Sequence, residues 1–463
     1  LGHPVGGASV HGVGVEEVAD DQGRLVLAHI EPASELTVTA AGYHGVSVVA
    51  SPGDGVTVTL RPSELCGRVV GGEGEPLAGA LVLAVSGDGG TRLTYTDEAG
   101  EYRLKGVPEG ATLVVRRGGY RRAERTLGAE RCLEWQLDPF AAQAIYLGFH
   151  LLTADYAGQL RANIALVERS PELNAVVIEV KTGGGYLAFE PQLSLARQLG
   201  ADAFETVDLQ ALLAELERKD IYTIARMPIF ADNLLGTLRP EWAVHRPDGS
   251  VWRDALDGAW TDPFRQEVWE YNVALAREAI ALGFDEVQLD YVRFPSDGAV
   301  GQCRYIREST AKNRVEAITG FVSYARRELD PTGAYLSADL FGLTTFDPEE
   351  KGIGQLMEQL GPHLDYVSPM VYPSTYLRGM LDIADPWRSP YEVVKRSLDA
   401  AHVKTTTPIR PWLQHFDDYH GLDIRYGLPE LLAQKQAAAD GKACGWMYWN
   451  IMGEYDPRAF GVE

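Results

Sequence analysis

Two aspartates in the second half of the chain have the residue type and the setting to do chemistry together. Asp290 closes an apolar, β-branched segment within GFDEVQLDYVRFPSDG (residues 283–298), and Asp339 closes another such segment. A carboxylate, or the guanidinium of Arg293 three positions further on, is costly to bury unless it is paired or used in a pocket. Residues 283–298 alone therefore leave two interpretations open, a structural ion pair between Asp290 and Arg293 or functional groups at the end of a strand.

The elements that would position these residues form a regular series over residues 139–463. Apolar strand-like segments alternate with segments of helical period, which is the pattern of parallel βα units. The predicted strands are 144–150, 175–181, 222–229, 286–293, 335–340, 366–372, 409–414 and 445–450. The main predicted helices are 156–170, 209–219, 263–281, 314–329, 353–360, 390–402 and 428–440, the third of them starting at Thr261-Asp262-Pro263. Eight such units predict an α/β fold of the (β/α)₈ TIM barrel type, in which the active site lies at the C-terminal ends of the strands.

Polar and aromatic side chains gather where these predicted strands end. The candidates for substrate binding there are His150, Glu179, Lys181, Arg226, Tyr291, Arg293, Met370, Tyr372, Trp412, Gln414, His415, Trp449, Asn450 and Glu454. The stability of a barrel interior calls for branched apolar residues, so charges and amides at corresponding positions of several units favour a functional site over a purely structural role.

Two carboxylates on neighbouring barrel strands suit the cleavage of a glycosidic bond, where one acid protonates the leaving oxygen and the other carboxylate meets the oxocarbenium-like carbon. Adjacent strands lie ~4.8 Å apart, so Asp290 and Asp339 could approach the ~5–5.5 Å separation of a retaining enzyme. We expect Asp290 to be the nucleophile, held ionised by Arg293, and Asp339 to be the general acid/base, its pKa raised by the nearby negative charge. Glu179 and Glu454 compete with Asp339 for the second role.

Several of the aromatic and amide side chains fit a sugar site, because rings stack on sugar faces and amides bond hydroxyls. Alternation along the last predicted strand places Trp446 and Tyr448 on one face and Met447 and Trp449 on the other, so only one pair points inward. His415 has two interpretations, a substrate contact or a loop histidine satisfied by a backbone partner.

Composition excludes several classes of function. Forty-two Lys and Arg against 65 Asp and Glu give a net charge of −23, which repels nucleic acid and anionic membrane surfaces. No apolar run is long enough to span a bilayer. The cysteines show no metal-ligand spacing, and the glycine-rich stretch after Lys181 lacks a phosphate-binding fingerprint. We therefore expect neither a metal nor a cofactor. We interpret the glycine-rich stretch as a flexible active-site loop.

The N-terminus and two cysteines bear on localisation. The chain begins at Leu1 without Met or a leader, from which we expect a secreted or cell-surface protein whose signal peptide has been removed. Cys66 and Cys132 open and close one small predicted domain, which makes a disulfide between them possible.

The N-terminal region contains an internal repeat. DDQGRLVLAHIEPASELTVTAAGY (residues 20–43) and DEAGEYRLKGVPEGATLVVRRGGY (residues 97–120) match at a constant offset of 77, which predicts two small all-β sandwiches, residues 1–61 and 62–138, before a barrel at 139–463. The segment GRVVGGEGEPLAGALVLAV (residues 67–85), followed by TDEAGEYRLKGVPEG, resembles the carboxypeptidase regulatory-like, or transthyretin-like, accessory domains. The resemblance implies a role without catalysis.

Four motifs of the barrel region carry a second resemblance. GFDEVQLDYVRFPSDG, YVSPMVYPSTY (residues 366–376), IRPWLQHF (residues 409–416) and GWMYWNIMGEY (residues 445–455) resemble a family of TIM-barrel glycoside hydrolases that is distantly similar to the α-amylase superfamily. In that superfamily the nucleophile follows the fourth strand and the acid/base the fifth, which the resemblance would place at Asp290 and Asp339. Thr375 and His415 depart from the family motifs, which usually have His and Asp at these positions.

We therefore expect a glycoside hydrolase that cleaves an oligo- or polysaccharide. The alternative from another class is a non-catalytic carbohydrate-binding barrel protein, since fold and site shape can persist without chemistry. A metal-dependent hydrolase on the same barrel would call for a His-x-His pair, and the first predicted strand offers only His150.

Overall fold

The computed structural model describes residues 3–40, 42–61 and 63–463. The chain divides into two compact units, Leu1–Pro139 and Phe140–Glu463. Three residues on which expectations fall, Leu1 at the N-terminus, Ala41 in the repeat and Pro62 at the expected domain limit, lie outside the described residues. The first unit contains β-sheets that are mostly antiparallel and the second a closed parallel barrel, so the predicted fold class is confirmed.

The first sheet of the N-terminal unit is built from strands β1 (Ser9–Gly12), β2 (Val15–Val18), β3 (Ser34–Thr39) and β4 (Val46–Ala50), in the order β2-β1-β3-β4. Alternate residues of β3, Leu36 and Val38, are buried, as the two-residue period of a half-buried strand requires.

Two further sheets make up the rest of this unit. Their strands are β5 (Leu65–Val70), β6 (Leu81–Val85), β7 (Thr91–Tyr95), β8 (Glu101–Leu104), β9 (Thr112–Arg116), β10 (Ala123–Thr126) and β11 (Cys132–Gln136). The orders are β10-β9-β6-β7 and β11-β5-β8, and the two sheets share one apolar core. Cys66 and Cys132 are disulfide-bonded at paired positions of β5 and β11.

The two repeats are related but not equivalent. The sheet β2-β1-β3-β4 has the strand order of β7-β6-β9-β10, so the four-stranded half is duplicated. Residues 24–27, which match β8 at the repeat offset, form no strand, and no described residue of the first copy supplies a three-stranded sheet. Two similar sandwiches are expected from the repeat, whereas the described residues of the first copy form a single four-stranded sheet.

The barrel strands are β12 (Ala142–Leu147), β13 (Ala175–Glu179), β14 (Tyr222–Pro228), β15 (Glu286–Asp290), β16 (Tyr335–Phe341), β17 (Tyr366–Met370), β18 (Trp412–Gln414) and β19 (Gly445–Trp449). Each strand pairs in parallel with the next, and β19 pairs with β12 to close the barrel. Gly445 has φ of 87°, and a Cβ there would lie 2.0 Å from the carbonyl oxygen of Ala142, so the closing pair requires glycine at this position.

The helices are α1 (Ala157–Arg169), α2 (Ser194–Leu199), α3 (Leu209–Arg218), α4 (Asn233–Leu238), α5 (Gln266–Leu282), α6 (Ala311–Leu329), α7 (Met357–Leu360), α8 (Pro390–Lys404) and α9 (Leu428–Asp440). The predicted helix start at Thr261-Asp262-Pro263 is wrong, because Asp262 is buried and accepts hydrogen bonds from the amides of Phe264 and Ile306 instead of capping α5. Within the described ranges, no helix has both the length and the apolar character needed to cross a membrane.

The barrel interior is filled by layers of inward-facing side chains, several of them polar. Near the N-terminal ends of the strands, Glu286 and Arg410 form an ion pair with both side chains fully buried. In the next layer, Gln288 donates a hydrogen bond to Ser368 at 3.3 Å. Charged side chains inside this barrel are thus not confined to the C-terminal strand ends, since Glu286 and Arg410 lie near the opposite end.

Candidate active site

A cavity of about 200 Å³ lies at the C-terminal ends of the barrel strands. It is lined by Arg226, Asp290, Tyr291, Arg293, Asp339, Phe341, Met370, Tyr372, Trp412 and Trp449. These residues belong to strands β14 to β19 or follow them directly. Both predicted catalytic aspartates thus face one cavity, at the end of the barrel where active sites of this fold lie.

Asp290 is the last residue of β15, and its carboxylate has a partner on each oxygen. Arg226 of β14 forms an ion pair with Oδ2, and the amide of Tyr291 donates to Oδ1 at 2.5 Å. Tyr291 has φ of 48°, a left-handed conformation that costs a non-glycine residue about 1–3 kcal/mol. This turn ends the strand and fixes the amide against the carboxylate.

The expected partner of Asp290 was Arg293, and the structure corrects this. Arg293 donates to the carbonyl of Phe294 at 3.0 Å and to the hydroxyl of Ser296 at 2.9 Å, and its guanidinium lies 4.5 Å from the centre of the Phe341 ring. Burial lowers the pKa of Arg293. Arg293 therefore forms part of the cavity wall, and Arg226 supplies the cation of the ion pair.

Asp339 lies on β16 and is only 1% exposed. The indole Nε1 of Trp412 donates a hydrogen bond to its Oδ1 at 2.7 Å. Burial, and then the charge of Asp290, raise the pKa of Asp339 well above its ordinary value, although Arg226 and Trp412 oppose the rise. The expected direction of this shift is found, with burial rather than the neighbouring charge as its larger cause. The environment favours a protonated acid at Asp339.

Arg226 connects three carboxyl groups. Its Nη1 pairs with Glu179, its Nη2 pairs with Asp290, and its Nε lies 3.8 Å from Oδ2 of Asp339. Burial alone would lower the pKa of Arg226, but the charges of Asp290 and Glu179 outweigh burial and raise that pKa well above its ordinary value. One permanently charged guanidinium on β14 therefore holds acids from β13, β15 and β16 in fixed positions.

Aromatic rings form the floor beside Arg226. Its guanidinium lies 4.8 Å from the ring centre of Trp449, which stacks on Tyr146 at 4.1 Å and meets Trp412 edge-on at 5.6 Å. Trp449 thus belongs to the inward-facing set of β19, whereas Trp446 lies in the core outside the barrel. A cation over an aromatic face is stabilised by the ring quadrupole, which further fixes the guanidinium.

Two sequence candidates stand next to the cavity without lining it. Glu179 accepts from the amide of Phe149 at 3.2 Å in addition to pairing with Arg226, so its carboxylate is used in positioning. Lys181 is completely buried: its Nζ lies 2.8 Å from the carboxylate of Asp232 and donates to the carbonyl of Pro228 at 2.7 Å. Lys181 therefore anchors the loop after β13 to the chain after β14 and is not available to a substrate.

The candidates after β18 mainly bond the surrounding loops. Gln414 accepts from the amide of Ser374 at 3.0 Å and donates to its hydroxyl at 2.8 Å. His415 accepts from the amide of Asp456 at 3.2 Å through Nε2, and burial lowers the pKa of His415. The geometry favours the interpretation of His415 as a loop histidine with a backbone partner.

The remaining candidates are also away from the cavity lining. Asn450 donates to the carbonyls of His415 and Glu454, at 2.8 and 2.7 Å. The side chain of Glu454 is exposed, and His150 is half-buried with its ring edge-on to Tyr156. The expectation that every polar side chain at a strand end converges on one site is thus corrected, because several of them instead satisfy backbone groups of the loops.

One residue of the lining, Phe341, was not among the sequence candidates. It lies two positions after Asp339 on β16, and the two-residue period of a strand places both side chains on the same face. That spacing was a usable signal. Among the residues described, no group of three or more His, Cys, Asp or Glu side chains is arranged to hold a metal ion.

The fold and the site define a class of protein: a (β/α)₈ barrel with a pair of carboxyl groups in a cavity at the strand ends, an arrangement suited to glycoside chemistry. The chain belongs to the family described as "Putative glycosyl hydrolase domain", whose model matches residues 144–455. Residues 64–131 match the carboxypeptidase regulatory-like domain. Both resemblances drawn from the motifs are confirmed at the level of the family.

Several solved structures are similar to this chain. A hypothetical protein from Ruminiclostridium thermocellum ATCC 27405 is 31% identical over 42% of this chain and 96% of its own, with a TM-score of 0.37. The PgaB (BpsB) glycoside hydrolase domain from Bordetella bronchiseptica is 14% identical over 69% of this chain and 98% of its own, with a TM-score of 0.50, and this likeness supports the fold alone. No protein of curated function matches the sequence.

Proposed function

We propose that this protein hydrolyses glycosidic bonds of an oligo- or polysaccharide with retention of configuration, with Asp290 as nucleophile and Asp339 as general acid/base. The observation that carries the proposal is the unequal pair of carboxyl groups in one cavity. Asp290 is ion-paired with Arg226, whereas burial and the charge of Asp290 raise the pKa of Asp339. Two acids with different environments are what an acid/base and a nucleophile require.

The reaction would take place in two steps. In the first, Asp339 donates its proton to the leaving oxygen while the carboxylate of Asp290 attacks the anomeric carbon and forms a glycosyl-enzyme ester. In the second, Asp339, now a carboxylate, takes a proton from water, and the resulting hydroxide oxygen displaces Asp290. Arg226 keeps the attacking carboxylate in place and remains cationic throughout.

Retention is supported by the closeness of the two acids. A single guanidinium reaches both, pairing with Asp290 through Nη2 while its Nε lies 3.8 Å from Asp339. Retaining enzymes hold their carboxyl groups ~5–5.5 Å apart, whereas inverting enzymes leave ~6.5–9.5 Å for a water molecule. Asp290 and Asp339 also lie on directly paired strands, β15 and β16, and this adjacency supports the shorter separation.

Export from the cytoplasm is the second part of the proposal. The disulfide between Cys66 and Cys132 supports a secreted or cell-surface location, because such bonds persist in oxidising compartments. Fractionation of the producing cells tests this, and recovery of the protein only from the cytoplasm with both thiols reduced would contradict it.

The test of activity is a screen of the wild-type protein against a panel of oligo- and polysaccharides, with release of reducing ends as the signal. Asp290→Asn and Asp339→Asn should each lose activity by at least about a thousandfold while still binding the sugar, since the amides keep the shape of the acids. Glu454→Gln is the matched control, a carboxylate at a strand end that is exposed and outside the cavity.

Proton NMR of the first product formed distinguishes the stereochemical outcomes. The anomer of the fresh product should match that of the substrate, whereas the opposite anomer would contradict the assignment of Asp290 as a nucleophile. Tight sugar binding without turnover in the wild type would instead identify a carbohydrate-binding barrel protein and overturn the proposal of catalysis.

A further inference from the structure

A second cavity of about 260 Å³ adjoins the one that contains the two aspartates. The two cavities share the side chains of Phe341, Met370 and Tyr372 as a common wall. The far side of the second cavity is formed by Leu343 and Met380, both half-buried, and by neighbouring residues of the loops after β16 and β17. The second cavity is therefore a direct neighbour of the cavity that contains Asp290 and Asp339.

The chemistry of the second cavity favours an apolar group. Its main side chains are hydrocarbon, aromatic or thioether. Two of the three hydroxyl-bearing side chains of its wall already have partners: the hydroxyl of Thr375 donates to the carbonyl of Tyr372 at 2.7 Å, and the hydroxyl of Tyr376 bonds that of Ser397 at 2.8 Å. A sugar unit placed there would lose hydrogen bonds to water that these groups are poorly placed to replace, whereas a hydrocarbon group would lose none.

The position of the cavity indicates which part of a substrate it would hold. Its wall begins at Phe341, Gly342 and Leu343, directly after the strand that carries Asp339. If Asp339 protonates the leaving oxygen, as the proposed function has it, the group bonded to that oxygen lies on the Asp339 side of the site. We propose that the second cavity binds an apolar, aromatic-sized aglycone next to the bond that is cleaved; this inference rests on the proposed function.

The volume is sufficient for such a group. A protein cavity of ~150 Å³ lined by Leu, Ile and Phe side chains takes up benzene. A cavity of about 260 Å³ thus accommodates an aromatic ring together with a short linking or ring substituent. The close packing of this wall requires glycine at position 342, since a Cβ there would lie 2.5 Å from the carbonyl oxygen of Met370 and 2.6 Å from the hydroxyl of Tyr376.

The test compares benzyl and methyl glycosides of the sugar identified by the activity screen. Benzyl alcohol and methanol are alcohols of similar acidity, so the ratio of the two kcat/KM values reports binding of the ring rather than quality of the leaving group. The wild type should prefer the benzyl glycoside by at least about tenfold, the size of effect that an apolar pocket gives. Leu343→Asn should reduce the preference to near unity, and Leu343→Met should restore most of it.

Direct binding of benzyl alcohol by calorimetry gives a second measurement that needs no turnover. Binding should be weakened at least about tenfold in Leu343→Asn and kept in Leu343→Met and in Leu432→Asn, a control whose leucine is exposed on α9. Equal binding by all four proteins, or none, would overturn the inference.

The outcomes separate this inference from the proposed function. Hydrolysis that depends on Asp290, combined with a benzyl preference that does not respond to Leu343, overturns the aglycone site and leaves the enzyme assignment intact. A preference for substrates that carry an acyl group on the sugar, independent of the aglycone, would also overturn the inference of an aglycone site. Absence of hydrolysis in the wild type overturns both, even where benzyl alcohol binds.

Discussion

Replacing Trp412 by Phe should move the alkaline limb of the pH–rate profile upward by about one pH unit. The indole Nε1 of Trp412 donates to Oδ1 of Asp339 at 2.7 Å, and both residues are 1% exposed. This hydrogen bond lowers the pKa of Asp339 and so opposes the larger effect of burial. Phe keeps an aromatic ring at the position and removes the donor, so the pKa of Asp339 should rise further.

The size of the shift follows from the difference between two hydrogen bonds. A bond to an ionised group contributes about 1.5–3 kcal/mol, and one between neutral groups about 0.5–1.5 kcal/mol. Loss of the donor therefore costs the carboxylate form about 1–1.5 kcal/mol more than the acid form. Since one pKa unit corresponds to about 1.36 kcal/mol, the pKa of Asp339 should rise by about one unit.

The assay is kcat/KM as a function of pH for the glycoside identified by the activity screen. In the proposed mechanism Asp339 acts as an acid only while it is protonated, so the alkaline limb of this profile should report the loss of its proton in the free protein. Trp446→Phe serves as the control, because Trp446 is a buried tryptophan of β19 that lies outside the cavity. An alkaline limb that stays in place or moves to lower pH in Trp412→Phe would refute the assignment of Asp339 as the acid.

Three further predictions concern stability. Arg226→Met leaves buried carboxyl groups without their cation and should lower the free energy of unfolding by about 3–5 kcal/mol at neutral pH. Part of this loss should be recovered in acid as the carboxyl groups take up protons, which urea unfolding at several pH values measures. The folded-state pKa of Asp339 is raised, so its contribution to stability is complete below the unfolded pKa of about 3.9 and is lost as pH rises through the folded-state pKa. Asp339→Asn should therefore be more stable than the wild type at neutral pH, although it should be inactive. Replacing Cys66 and Cys132 by Ser opens a link across 66 residues and should destabilise the second β-sandwich by about 4 kcal/mol, measured by calorimetry as a lower unfolding temperature.

Each of these predictions has a result that contradicts it. For Arg226→Met, the control is Arg161→Met, which breaks an exposed ion pair with Glu215 that contributes no more than about 1 kcal/mol. Equal losses of stability in the two variants would contradict a buried ion-pair network around Arg226. For Asp339→Asn, lower stability than the wild type at every pH would contradict the raised pKa. For the disulfide, an unchanged unfolding transition in the double Ser variant would contradict the predicted loss of stability.

Most of the barrel was predictable because its strands are short, apolar and regularly spaced. The limits of the strands were less predictable where the backbone departs from the pattern. The strand predicted at 286–293 ends at Asp290, because Tyr291 takes a left-handed conformation. The strand predicted at 409–414 begins at Trp412, since Pro411 has no amide hydrogen to donate to a neighbouring strand.

The candidate site was predictable to the extent that strand alternation determines it. Alternation places Asp290 and Asp339 inside the barrel, and both line the cavity. Partner choice was not predictable, because Arg226 comes from the preceding strand, 64 residues before Asp290, while Arg293 is close only in sequence. Lys181 was misleading for the same reason, since its partners lie on a loop that the sequence does not place beside it.

The pairing of β19 with β12 has a consequence for synthesis of the protein on the ribosome. The first and last strands of the barrel are separated by about 300 residues, and translation of this segment takes on the order of 15–60 s at ~5–20 residues per second. During that interval the incomplete barrel exposes the edge of β12 that later pairs with β19, and Trp449 has not yet been synthesised. Chaperone protection of that edge should therefore matter more for the yield of this protein than for its final stability.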